Sequence, residues 1–177
     1  MSLLVKNIIR FILFILVQVY VLNQIPPLHH FITPYLYFLF ILWLPFTISR
    51  FSLLLVSFLF GLALDYFSGT PGLHAAPCVL VAYLRPFLIN VLISQEGAEL
   101  NYAEPSIKSM GIAPYGLYVL VFTFIHHFYL VLIEWLQFGN FLYFIGKVAA
   151  TTGISLLLIF ITEMLFFRKQ KFRTNTA

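Results

Sequence analysis

The stretch GLALDYFSGTPGLHAAP, residues 61–77, places an acid, a glycine-rich turn and a histidine between two runs that are otherwise almost wholly apolar. A carboxylate such as Asp65 is costly inside a bilayer unless it is paired, hydrated or used. Gly69, Thr70, Pro71 and Gly72 supply the residue types of a tight turn. Counting outward from that turn at about 1.5 Å per helical residue sets Asp65 and His74 at similar height near one membrane face. Gly61 and Ala63 then oppose Ala75, Ala76 and Cys78, and small residues let two helices approach closely. Two readings of this corner stand side by side. In one, Asp65, His74 and the glycines form a rigid corner that shapes a pocket or receives a partner helix. In the other, Asp65 accepts hydrogen bonds from the N–H groups of the turn and His74 sits at headgroup level.

The rest of the chain makes the bilayer setting plain. Of 177 residues, 62% are hydrophobic and only 9% are charged, against roughly 25% charged in soluble domains. The longest polar stretch, 94–113, is too short for a soluble domain. The expectation is therefore an all-α integral membrane protein forming a single membrane domain. Its aromatic share of 19% is high, and such side chains fill gaps between helices or sit at headgroup level. Cys78 stands alone, so it forms no intrachain disulfide and reads as a small core residue.

About 20 apolar residues cross the hydrocarbon core. On that ruler, six transmembrane helices fall at 5–24, 33–48, 50–67, 73–93, 114–138 and 141–167. The first resembles a signal sequence, with Lys6 and Arg10 before the apolar run, but no small-residue cleavage site follows; it reads as an uncleaved helix. Only Ser49 and Arg50 separate the second span from the third. A single bent span over 33–67 would leave Arg50 in hydrocarbon, so a hairpin is favoured, with Pro45 ending or kinking the helix before it.

Basic residues in short loops set the orientation. Lys6, Arg10, Arg50 and Lys108 fall on one side together with Arg168, Lys169, Lys171 and Arg173 of the tail at 168–177. The opposite loops, 25–32, 68–72 and 139–140, carry none, and Lys147 lies several residues into the last helix. Both termini and the 94–113 loop are thus expected to be cytoplasmic, in a multi-pass protein of the cell inner membrane. The net charge of +4 belongs to this pattern and not to nucleic-acid binding.

Three further sets of polar residues lie at membrane depth. Glu134 and Lys147 flank the Gly139-Asn140 turn at similar depth, which favours a salt bridge clasping the hairpin over a proton relay. Adjacent His126 and His127 lie opposite Thr151 and Thr152, and only one of the two histidines can face a given site. Arg85 precedes Pro86, whose ring frees the carbonyl one turn earlier. That pairing favours an internal polar lock over an anion site, and its depth suggests a cavity shared with His126 and His127. Enzyme readings find no footing. No H-x-x-H, H-E-x-x-H or C-x-x-C spacing supports a metal, no second acid accompanies Asp65, and no nucleophile elbow is present. No cofactor is expected.

The pattern Gly61-x3-Asp65-x3-Gly69-x2-Gly72-x-His74, followed by an apolar helix carrying Tyr83, Leu84, Arg85 and Pro86, resembles the bacterial rod shape-determining protein MreD family. The small size, the near absence of soluble parts and the basic tail resemble it too. Arg85-Pro86 and His126-His127 resemble the Bacteroidetes branch. Motif-level likeness is confined to about 61–86 and 126–134. The resemblance implies a six-helix inner-membrane subunit of the elongasome, with a fold similar to the S-components of energy-coupling-factor transporters and hence a central cavity. The implied partners are a bitopic MreC-like protein, with MreB, RodZ and the RodA–transpeptidase synthase in the same assembly. The implied role is non-catalytic scaffolding in support of peptidoglycan synthesis and rod shape. The family has no established catalytic residue, and none is carried over. Two other readings compete: a substrate-binding subunit of a small-solute transporter, and a binder of lipid or peptidoglycan precursor in which Arg85 holds the anion.

Overall fold

The computed structural model describes residues 3–25, 32–93, 102–136 and 140–165. The basic tail, residues 94–101 of the 94–113 loop and Gly139 lie outside them. The described chain is all-helical, with the order α1 (Leu3–Tyr20), α2 (Leu39–Leu42), α3 (Arg50–Ser68), α4 (Ala75–Leu92), α5 (Ile107–Met110), α6 (Ile112–Trp135) and α7 (Phe141–Leu165). Five helices are long and apolar enough to cross a membrane: α1 with its short continuation to Gln24, α3, α4, α6 and α7. The protein is therefore read as a multi-pass membrane protein. Helix α3 packs on α4, α4 on α6 and α6 on α7, while α1 lies against α3.

Segment 33–48 departs from the helix expected there. It contains only the single turn α2, preceded by non-helical chain at 32–36 and followed by irregular backbone to Ser49. Its side chains do not face lipid: Tyr37 to Leu42 are no more than 2% exposed. Pro34 and Pro45 bracket the segment, and each removes a backbone donor that a continuous helix would need. Irregular backbone is tolerated at membrane depth only where protein surrounds it and supplies its hydrogen bonds.

Those hydrogen bonds come from four helices. Gln18 of α1 donates to the Pro34 carbonyl at 3.1 Å and accepts from the Leu36 N–H at 3.0 Å. Ser155 of α7 accepts from the Tyr35 N–H at 3.2 Å. Tyr118 of α6 donates to the Leu42 carbonyl at 3.1 Å. The Arg85 guanidinium of α4 donates to the Leu44 carbonyl. At the far end the Phe46 N–H reaches the Ala103 carbonyl at 3.0 Å.

The path of this segment follows from the helices it joins. The C-terminal ends of α1 and α3 meet, with Asn23 donating to Ser68 at 3.2 Å, and Phe11 packs on Phe60 further along. The two helices thus run parallel, and the chain between them must return through the bundle. It does so from Gln18 and Pro34 at one end to Ala103 at the other.

The α3–α4 hairpin is closed by its small residues. Gly69 ends α3 at φ 66° and Gly72 sits at φ 83°, conformations that favour glycine. Gly61 meets the start of α4 so closely that a Cβ on it would lie 2.5 Å from Ala75 Cα and 2.9 Å from the His74 carbonyl oxygen. Both are backbone atoms and have little room to yield. Gly61→Ala is expected to destabilise the protein by about 1–3 kcal/mol through overpacking. Gly116→Ala and Gly153→Ala, where the space is open, should be neutral or stabilising. Equilibrium unfolding in detergent checks this, and equal effects at all three positions would refute it.

Candidate functional site

Asp65 faces the turn that follows its own helix. Its carboxylate accepts from the backbone N–H groups of Gly72 at 3.0 Å, His74 at 2.8 Å and Ala75 at 3.0 Å. The Thr70 hydroxyl donates to it at 3.4 Å, and the His74 ring stands 2.9 Å away through Nδ1. An anion at the start of α4 also faces the positive end of that helix dipole. Asp65 and His74 are both buried. The acid of one helix therefore caps the next, which ties α3, the turn and α4 into one unit. Every residue singled out in this corner, from Gly61 to His74, comes together here.

Arg85 is 2% exposed and held in place on two sides. Its Nε–H donates to the Tyr118 hydroxyl at 3.0 Å, and a terminal NH2 donates to the Leu44 carbonyl. Tyr118 in turn donates to Leu42. Pro86 lies inside α4, which stays helical through it, and Arg85 turns to the carbonyl of Leu44 in the irregular segment instead of one in its own helix. Arg85 and the histidines do not share a site. Its partner Tyr118 lies eight residues before His126 on α6, or about 12 Å along the axis.

His127 is built into the packing of the same segment. Its Nδ1 lies 2.5 Å from the Thr123 carbonyl, so the proton belongs there, and Nε2 accepts from the Ser155 hydroxyl at 3.0 Å. Ser155 holds the Tyr35 N–H, so His127 orients the hydroxyl that binds the non-helical chain. His126 behaves differently. Neither of its ring nitrogens has a hydrogen-bond partner among the described residues. It stacks on Phe38 with ring centroids 4.5 Å apart and meets Tyr37 edge-on at 5.1 Å. The two adjacent histidines thus diverge, one bonding and one stacking.

Glu134 and Lys147 form an ion pair of 2.6 Å beside the α6–α7 turn. A second charged group lies at the opposite end of the bundle. Glu104 accepts from Lys6 at 2.9 Å and from Arg10 at 2.8 Å, pinning the start of α1 to the chain before α5. Arg10 also lies over the Trp43 ring at 5.1 Å, and the Trp43 indole donates to Glu163 at 2.9 Å. Sequence reasoning passed over Gln18, Tyr118 and Ser155. Gln18 carried a signal, as a lone amide inside an apolar helix, and Ser155 follows Thr151 by one turn. Tyr118 carried none among ten tyrosines.

One apolar groove opens on the outside of this arrangement. It has a volume of about 550 Å³ and lies between α1 and α3, walled by Ile8, Phe11 and Leu59 and floored by Phe40, Leu44 and Pro45. The irregular segment reaches the surface here only at its end, through Thr47 and Ile48. Its lining is aliphatic and aromatic rather than rich in small residues.

No protein-family model, no curated protein and no solved structure matches the chain.

Proposed function

We propose that the protein is a non-catalytic scaffold of the bacterial inner membrane, of the MreD type, which binds an MreC-like single-helix partner and supports lateral peptidoglycan synthesis and rod shape. The observation that carries this reading is the groove between α1 and α3. An apolar helix laid along it covers Leu4, Ile8 and Leu59, which are exposed on the groove walls. The motif from Gly61 to His74, with Arg85-Pro86 and His126-His127, supports the family assignment. MreB, RodZ and the RodA–transpeptidase synthase join the assembly on this reading.

In this proposal the segment 32–49 is a sixth pass, irregular and enclosed by protein, and both termini are cytoplasmic. Supporting it, α1 and α3 run parallel, and Lys6, Arg10 and Arg50 belong to the N-terminal halves of those two helices. The polar residues in the bundle hold that pass in shape, and Arg85 has its Nε–H and a terminal NH2 group bonded within the protein.

Affinity purification in mild detergent, with mass spectrometry of proteins and small molecules, tests the function. The expected result is a one-helix protein at near-stoichiometric yield, lost on Ile8→Trp or Leu59→Trp. A retained solute together with an ATPase module, and no one-helix partner, would replace the scaffold reading with a transport one.

A further inference from the structure

A second opening lies at the other end of the bundle, between the α3–α4 turn and the adjoining ends of α6 and α7. It has a volume of about 630 Å³, within the range of small-ligand sites. Thr70 and Leu73 border it on the side of α4, and Glu134, Trp135 and Lys147 line it from α6 and α7. Glu134 and Lys147 are paired at 2.6 Å, with 26% and 13% of their side chains exposed. Lys147 also stands 5.9 Å over the Tyr143 ring. The Trp135 indole N–H is buried and has no hydrogen-bond partner among the described residues.

These groups are more than a hairpin clasp requires. A clasp needs one carboxylate and one ammonium, whereas this wall adds an unused indole donor and an apolar surface from Leu73 and Val131. The pair is neutral overall, so a ligand of net charge would leave one partner uncompensated in a partly desolvated site. A ligand with both charges can meet Glu134 with its cation and Lys147 and Trp135 with its anion. An ion pair beside an apolar wall is also felt more strongly than one in open water.

We propose that this cavity binds a compact zwitterion, a primary ammonium joined by a short linker to an oxyanion. The phosphoethanolamine headgroup of a lipid has this chemistry, and so does a free amino-acid-like solute. The ammonium hydrogen-bonds the Glu134 carboxylate, the oxyanion takes Lys147 and the Trp135 N–H, and the linker lies on Leu73 and Val131. A quaternary ammonium has no N–H to give Glu134, so a choline headgroup is discriminated against. The site is remote from the α1–α3 groove, and the inference stands apart from the scaffold proposal.

The test uses the full chain in nanodiscs holding equal amounts of phosphatidylethanolamine, phosphatidylcholine and phosphatidylglycerol, with native mass spectrometry of the retained lipid. Glycerophosphoethanolamine is titrated calorimetrically against protein in phosphatidylcholine discs. Ethanolamine lipid is expected to be retained about tenfold over the other two, with the preference lost in Glu134→Gln and Lys147→Gln. Trp135→Phe keeps the ion pair and removes only the N–H, so it remains informative if the charge variants fail to fold. It should weaken the preference severalfold. Retention of the lipid without heat from the soluble probe assigns the site to a lipid headgroup, and heat from the probe assigns it to a free zwitterion. Equal retention of all three lipids with no heat, or a preference that survives Trp135→Phe and Glu134→Gln, overturns the proposal and leaves a hairpin clasp only.

Discussion

Arg85→Met is expected to destabilise the protein by about 3 kcal/mol, the cost of stranding a buried carbonyl that a charged donor had satisfied. The Leu44 carbonyl loses its donor, and the Tyr118 hydroxyl loses the N–H that orients it toward Leu42. No counter-charge is left behind, because both groups that Arg85 bonds are neutral. The loss therefore measures support of the irregular segment and not the breaking of an ion pair. Arg85→Lys should recover only part of it, since an ammonium on a flexible stem cannot reproduce the planar fork that reaches two acceptors at once. Equilibrium unfolding in detergent, with Trp43 emission as the local reporter, checks both variants. A loss below about 1 kcal/mol for Arg85→Met would place the support of this segment elsewhere.

Asp65→Ala is expected to cost about 3–5 kcal/mol, because one buried carboxylate caps several donors of the turn and of α4. Asp65→Asn should cost less, as its amide keeps one acceptor oxygen and loses the other. The lone cysteine offers a reading besides stability. Cys78 lies one turn into α4 and is fully buried, so an unfastened corner should admit a thiol reagent that the native protein excludes. Rapid labelling of Cys78 in Asp65→Ala, and slow labelling in the parent, is the expected pair of results. Unchanged labelling with unchanged unfolding would show that the turn closes without its cap.

The long helices are legible in the sequence because each is a run of about the right length with its charges, Arg85 apart, toward the ends. The irregular pass is not, and for a physical reason. Residues 33–48 are as apolar as a lipid-facing helix, and burial in protein selects the same side chains as burial in lipid. Only Pro34 and Pro45 mark the difference, and proline occurs in membrane helices too. The corner at 61–77 was readable as a close hairpin from Gly61, Gly69 and Gly72. Whether Asp65 faced the turn or a ligand was not, since spacing does not give a side chain's direction. Arg85 could be placed at depth by counting, but its partner lies in a segment whose path cannot be counted along a helix. The same limit suggested a cavity shared by Arg85, His126 and His127, which the path of the chain keeps apart.

The central claim is that the polar residues of the bundle hold an unwound, protein-enclosed segment. Solid-state NMR of the protein in lipid, read as backbone Cα and Cβ shifts over residues 32–48, tests it most directly. The account predicts non-helical shifts at 32–36, helical shifts confined to about 39–42, and loss of this pattern in Arg85→Met. Continuous helical shifts from 33 to 48 would contradict it.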